Sequence, residues 1–198
     1  RDTDRSRGLG DVYKRQVEVL SKNIRYMFKS GMHTVPLSEE MQNVQYYYEM
    51  QELRYPGSVF YYGEYNKEDE NWPIPQMLIH TVVENIYKHA VSVDNLITIL
   101  VQVNKTEYKG QEMLCISIED DGEGYPEEIL KQFQTGEKPK PSEDGTHLGL
   151  WSLWEMLRIM YDRNDLMELK NAEPHGTRTI FYPVSYTHLR AHETDQYL

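Results

Sequence analysis

The chain has one cysteine in 198 residues, Cys115, and it sits in an apolar run. This excludes a disulfide framework and any metal centre built on clustered thiolates, and it fits a reducing compartment. Long apolar runs are also missing. None approaches the roughly 20 residues that cross a bilayer, and no signal-peptide pattern opens the chain, so a soluble polypeptide is expected. Positive charge is scarce: 21 Lys and Arg stand against 32 Asp and Glu, a formal net charge of −11. Nucleic acid is therefore excluded as the main partner, because phosphate backbones are held by clustered cations. A nucleotide remains open, since its charge can be met locally by Mg²⁺ and a few donors. Internal repeats and low-complexity tracts are absent from the sequence.

What is present is apolar content for one good core, 39% of the side chains, so one main domain plus an appendage is expected. Residues 1–16 and 185–198 are polar, lack helix or strand period and resemble translated adaptor sequence. They read as non-native or disordered flanks, and His188 and His192 are set aside despite a spacing that invites a metal. Residues 17–54 read as helical and residues 55–184 as the main domain.

Val17, Leu20, Ile24, Met27 and Phe28 recur at helical spacing over residues 17–29. Ser38 is the expected N-cap of a second helix, with Glu39 and Glu40 in its first turn and Met41, Val44, Tyr47, Tyr48, Met50 and Leu53 along it. Its tyrosines read as packing residues with wet hydroxyls. After a strand at residues 59–62, a third helix is expected over residues 73–90, begun by Pro73 and Pro75. Met77, Leu78, Val82 and Ile86 form its apolar stripe, and Asn85, Lys88 and His89 offer an amide, an ammonium and an imidazole to one ligand. Alternation predicts strands at 96–103 and 112–119 joined through Gly110. A short helix at 126–134, a mobile polar loop over 135–145, a helix at 150–161 and strands at 166–170 and 177–183 complete the chain. This order predicts an α+β two-layer sandwich with a mixed, mainly antiparallel sheet.

Three stretches carry the chemistry. Asp120-Asp121-Gly122-Glu123-Gly124 puts glycines and a carboxylate at a strand end, where the carboxylate can accept a hydrogen bond from an exocyclic amine of a base. Gly145 and Gly149 flank a helix start whose free N–H groups suit phosphate. Asn85 can give a carbonyl oxygen to Mg²⁺, Lys88 a point charge to phosphate, and Glu84 can polarise a nucleophile.

In this order and at these separations the stretches resemble the GHKL, or Bergerat-fold, ATP-binding domain, in the form found in sensor histidine kinases of the YesM/LytS type. The resemblance covers residues 17–184. Val83-Glu84-Asn85-Ile86-Tyr87-Lys88-His89 looks like the family's asparagine box, which implies Asn85 as magnesium ligand, Lys88 near the phosphates and His89 beside the base. Asp120 to Gly124, including Gly122, resembles the first glycine box and implies Asp120 on the adenine amine. Gly145-Thr146-His147-Leu148-Gly149-Leu150 resembles the second, on the phosphate side, and Gly176-Thr177 implies Thr177 reaching adenine through water. Residues 17–54 then correspond to the end of the dimerisation region and a linker helix.

The resemblance implies ATP and Mg²⁺ as cofactors and a histidine kinase activity that relays phosphate to a response regulator. It also implies a homodimeric, membrane-anchored parent with this domain in the cytoplasm. The family's acceptor-histidine motif is not found in the sequence, so the acceptor is expected outside this chain. Ile86, Met156 and Asp162 depart from the family pattern. Ile86 and Met156 favour the alternative of a non-catalytic nucleotide-sensing and pairing module. A gyrase-type hydrolase would carry a carboxylate where Thr81 stands.

Overall fold

The computed structural model describes residues 33–92, 94–136 and 148–184. The helix expected over 17–29, both flanks, most of the loop expected over 135–145, and Gly145, Thr146 and His147 lie outside the described residues.

The chain enters through a short strand, β1 (Thr34–Pro36), and turns at once into helix α1 (Leu37–Gln51). Ser38 lies inside α1 and is not its cap; Pro36 holds the capping position without a side-chain bond. The physical reason is that distant carbonyls serve the helix start: Leu37 N–H donates to the Trp72 carbonyl at 2.9 Å and Ser38 N–H to that of Glu70 at 3.0 Å. With those orphan donors satisfied, a hydroxyl cap is unnecessary.

The proline pair also departs from the expectation. Pro73–Pro75 forms β3, which pairs antiparallel with β1 so that Thr34 faces Pro75 and Val35 faces Ile74. Proline's fixed φ serves an extended edge strand as well as a first helical turn. The next helix, α2 (Leu78–His89), therefore begins after Met77, whose φ of 66° swings the chain from the ribbon into the helix.

The main sheet comprises β2 (Val59–Glu64), β4 (Ile97–Tyr108), β5 (Gln111–Asp120), β6 (Met167–Asn171) and β7 (Thr177–Phe181), in the spatial order β2-β4-β5-β7-β6. β2 and β4 run parallel and the other neighbours antiparallel, which is the mixed sheet expected. Lys109 (φ 52°) and Gly110 (φ 79°) make the tight β4–β5 turn, left-handed at both positions as a twisted hairpin favours.

Alternate residues Ile99, Val101, Ile116 and Ile118 point to one side of the sheet and are fully buried. They meet Leu78, Val82 and Ile86 of α2 and Leu150, Leu153 and Leu157 of α4 (Leu148–Tyr161). Each such side chain contributes about 1.5–3 kcal/mol relative to exposure, so this layer boundary fixes where α2 lies over the strand ends. Helix α3 (Glu127–Thr135) buries Ile129. Among the described residues no helix is long and apolar enough to cross a membrane.

Candidate functional site

Where α2 crosses the end of β5, a cavity of about 260 Å³ opens between them, lined by Asn85, Ile86, His89, Ala90, Asp120, Glu123, Gly124, Tyr125, Pro126, Leu150 and Thr177. Four residues expected from sequence to share one ligand, Asn85, His89, Asp120 and Thr177, thus face one space. They reach it from three separate elements, α2, β5 and β7.

Asp120 closes β5 and is 5% exposed. Its Oδ1 accepts the Gly122 N–H at 2.8 Å, and its Oδ2 accepts the Thr177 hydroxyl. Burial raises this carboxyl above the usual carboxylate range, while the Thr177 and Gly122 bonds oppose the rise. A carboxylate held this way on the cavity wall has the chemistry to accept a ligand's N–H.

The Asp120–Thr177 contact depends on the residue before the threonine. Gly176 holds φ 105°, and a Cβ there would stand 1.8 Å from the Asp120 carbonyl oxygen. Only glycine brings the two strands together at this point.

The loop after Asp120 is fixed from β6. Asn171 accepts the Tyr125 N–H at 2.6 Å and donates to the Tyr125 carbonyl at 3.2 Å. The Tyr125 hydroxyl pairs with Thr179 Oγ1 at 2.6 Å, and burial pushes that phenol up to about 12. No local pattern marks Asn171, because its partner is 46 residues away. Tyr125 adjoins the first glycine box, but a lone aromatic beside a proline is an ordinary turn feature.

On α2, Asn85 presents a buried side-chain nitrogen with no partner among the described residues. Gly149 of α4 comes so close that a Cβ there would lie 3.3 Å from the Thr81 methyl and 3.4 Å from Asn85 Nδ2. Two of the expected residues sit apart. The Lys88 ammonium lies 2.7 Å from Glu84 Oε1, and neither side chain lines the cavity. Spacing of i, i+4 joins them on the helix surface, where such a pair is worth a few tenths of a kcal/mol. Leu148 begins α4, while Gly145, Thr146 and His147 lie outside the described residues.

No group of three or more His, Cys, Asp or Glu gathers as a metal cage among the described residues. The site still fits a magnesium ion. Asn85 offers one hard oxygen donor at the cavity wall, and magnesium keeps most of its shell as water and substrate phosphate.

Comparisons with known proteins bear on the family and the fold. The profile of the histidine kinase-, DNA gyrase B-, and HSP90-like ATPases matches residues 74–185. That of the histidine kinases matches residues 10–59. Sensor protein LytS of Bacillus subtilis (strain 168) is 24% identical over 147 residues, covering 74% of this chain and 24% of that protein. Sensor protein kinase HptS of Staphylococcus aureus (strain USA300) is 26% identical over 161 residues, covering 81% of this chain and 30% of its own length. The chain thus spans less than a third of either relative.

Among solved structures, the nucleotide-free catalytic domain of histidine kinase ThkA has a TM-score of 0.56 at 17% identity, covering 79% of this chain and 97% of that one. ThkA in complex with the response regulator protein TrrA has a TM-score of 0.50 at 18% identity, covering 88% of this chain and 48% of that one. These two likenesses concern the fold. With a profile match that runs from residue 74 to 185, across all of the α2-to-β7 segment and more than half of the chain, the chain belongs to the histidine kinase-, DNA gyrase B-, and HSP90-like ATPase family.

Proposed function

We propose that residues 55–184 form the ATP-binding catalytic domain of a two-component sensor histidine kinase, delivering the γ-phosphate to a histidine outside this chain. The phosphate then passes to a response regulator. The observation that carries the reading is the meeting of Asp120 and Asn85 on one cavity. Asp120, held by Thr177 and Gly122, accepts the adenine amine, and His89 flanks the base. Thr177 reaches the base through water. The phosphates run toward the start of α4, with Gly145, Thr146, His147, Leu148 and Gly149 as the cradle and helix N–H groups facing the anion. Asn85 would hold Mg²⁺, which would supply charge neutralisation at the transferred phosphate.

The chain's own contribution is positioning and electrostatic complementarity, which is most of what phosphoryl transfer needs. Lys88 joins the phosphates by leaving Glu84, a change a flexible, exposed side chain makes readily. Residues 17–54 are then the end of the dimerisation region and its linker helix, in a homodimeric, membrane-anchored parent. Residues 1–16 and 185–198 stand outside the functional unit. The rival reading, a nucleotide-sensing module without transfer, draws on Ile86, a bulky residue on the cavity wall, and on the Glu84–Lys88 pair.

The test is transfer in trans. The chain, labelled ATP and Mg²⁺ are incubated with a separately supplied acceptor-histidine domain of a LytS-type kinase. An acid-labile, base-stable phosphoprotein that Asn85→Ala fails to produce supports the kinase. Saturable nucleotide binding with no labelled acceptor supports the sensing module.

A further inference from the structure

Glu40 lies in the first turn of α1 and is fully buried. Its partners are not on α1. Oε2 accepts the Met77 N–H at 3.1 Å, and Oε1 accepts those of Ile79 and His80, each at 3.0 Å. One carboxylate therefore serves three backbone donors at the start of α2, where Met77, in the left-handed region, supplies no side-chain cap. A negative group at a helix N-terminus also complements the helix dipole.

The exchange is reciprocal. The first N–H groups of α1 are taken by the Trp72 and Glu70 carbonyls, immediately before β3, while α1 in turn sends Glu40 into the turn after β3. Pairing of β1 with β3 closes the ring. The starts of α1 and α2 are thus bound as one body. Further along, Tyr47 packs edge-on against His80, with ring centroids 4.7 Å apart, and against Tyr87 at 5.4 Å.

Asn85 lies six residues beyond Ile79 on the same α2, about 9 Å along the axis at 1.5 Å per residue. Its amide nitrogen finds no hydrogen-bond partner among the described residues, so its place at the cavity is set by where α2 stands. We propose that Glu40 is the positioning residue through which α1, the helix leading in from the upstream region, sets the Asn85 amide in the nucleotide site. This rests on the nucleotide reading above. A shift or rotation of α1 is carried by the carboxylate to the first turn of α2, and α2 moves Asn85 with it. Because α1 follows β1 at the upstream end of the described residues, the contact provides a route by which an upstream signal adjusts metal-dependent nucleotide binding.

The test uses the full 198-residue chain and the variant Glu40→Gln, which keeps volume but turns an N–H donor toward the α2 donors. Two quantities are read: amide exchange at Ile79 and His80, and the gain in ATP-analogue affinity on adding Mg²⁺. Expected are about tenfold faster exchange at those amides, with β4 and β5 unchanged, and loss of most of the Mg²⁺-dependent gain. Faster exchange with an undiminished magnesium gain makes Glu40 a structural cap only and overturns the proposal, as does no change in either.

Asn85→Ala and Asp120→Ala run alongside. If both bind nucleotide as the wild type does, the nucleotide reading fails and this inference falls with it. If they lose binding while Glu40→Gln keeps its magnesium gain, this inference alone fails.

Should Glu40→Gln not fold, the wild type answers by NMR. The ionisable side chains on the two helices around this contact include Glu39 and Tyr47 on α1 and His80 and Glu84 on α2. As the Glu40 carbon is followed through its titration, the Ile79 and His80 amides and the Asn85 side-chain amide should shift with the same midpoint. Asn85 remaining still while Glu40 titrates overturns the proposal.

Discussion

Asn171 grips Tyr125 by both ends of its backbone peptide groups, accepting its N–H at 2.6 Å and donating to its carbonyl at 3.2 Å. A side chain at the end of β6 thereby does the work of a strand partner for a loop that has none. Asn171→Ala leaves both groups without it. We expect about 1–2 kcal/mol lower stability in urea denaturation and about tenfold weaker binding of an ATP analogue, since Gly124 and Tyr125 line the cavity. Unchanged affinity in a folded Asn171→Ala would separate the loop from the site.

Burial raises the Asp120 carboxyl, and Thr177 opposes that rise by donating to it. The carboxylate form accepts the base, so binding is present above the Asp120 pKa and lost as pH falls through it. Removing the hydroxyl in Thr177→Val takes away the bond that opposes burial, and the acidic limb of the affinity profile should move to higher pH. Isothermal titration across pH 4.5–8 reads this, and coincident limbs would contradict it.

Gly176→Ala asks a residue with a Cβ to hold φ 105° and to stand 1.8 Å from a backbone oxygen. Backbone must yield, and we expect a loss on the order of 2–4 kcal/mol or failure to fold. A urea midpoint within error of the wild type would show that β7 can slide away from Asp120 at little cost.

The Glu40 carboxyl makes stability depend on pH. Burial pushes it from 4.5 to about 7, against the three backbone bonds that lower it. The native state therefore holds the proton more tightly than the unfolded chain. The resulting stabilisation is full below about 4.5 and is lost as pH rises through about 7, by up to about 3 kcal/mol. Glu40→Gln cannot titrate. The stability difference between wild type and Glu40→Gln, measured from pH 4.5 to 8, should turn against the wild type as pH rises, and a difference that is flat over that span would rule this out.

Much of the architecture was legible because its signals are local. Alternation in β4 and β5, the turn at Gly110 and the apolar stripe of α2 are written in adjacent residues, and they give the α+β sandwich. The asparagine and glycine boxes are equally local, and the family resemblance they carry points to Asp120, Asn85, His89 and Thr177. What escaped depends on partners far along the chain. The strand nature of Pro73–Pro75 is decided by β1, since proline's φ suits either reading. Glu40 looks like an ordinary first-turn acid until its partners, 37 to 40 residues away, are known. The i, i+3 spacing from Asn85 offers Lys88 to the phosphates. Spacing of the same kind also offers it Glu84, and the ion pair forms there.

The most direct measurement is calorimetric titration of a non-hydrolysable ATP analogue with Mg²⁺ into the wild type, Asp120→Ala and Asn85→Ala. One nucleotide bridging both residues gives saturable 1:1 binding to the wild type and a loss of about tenfold or more in each variant. Binding that survives unchanged in both variants, in chains shown to be folded, would contradict a site shared by Asp120 and Asn85.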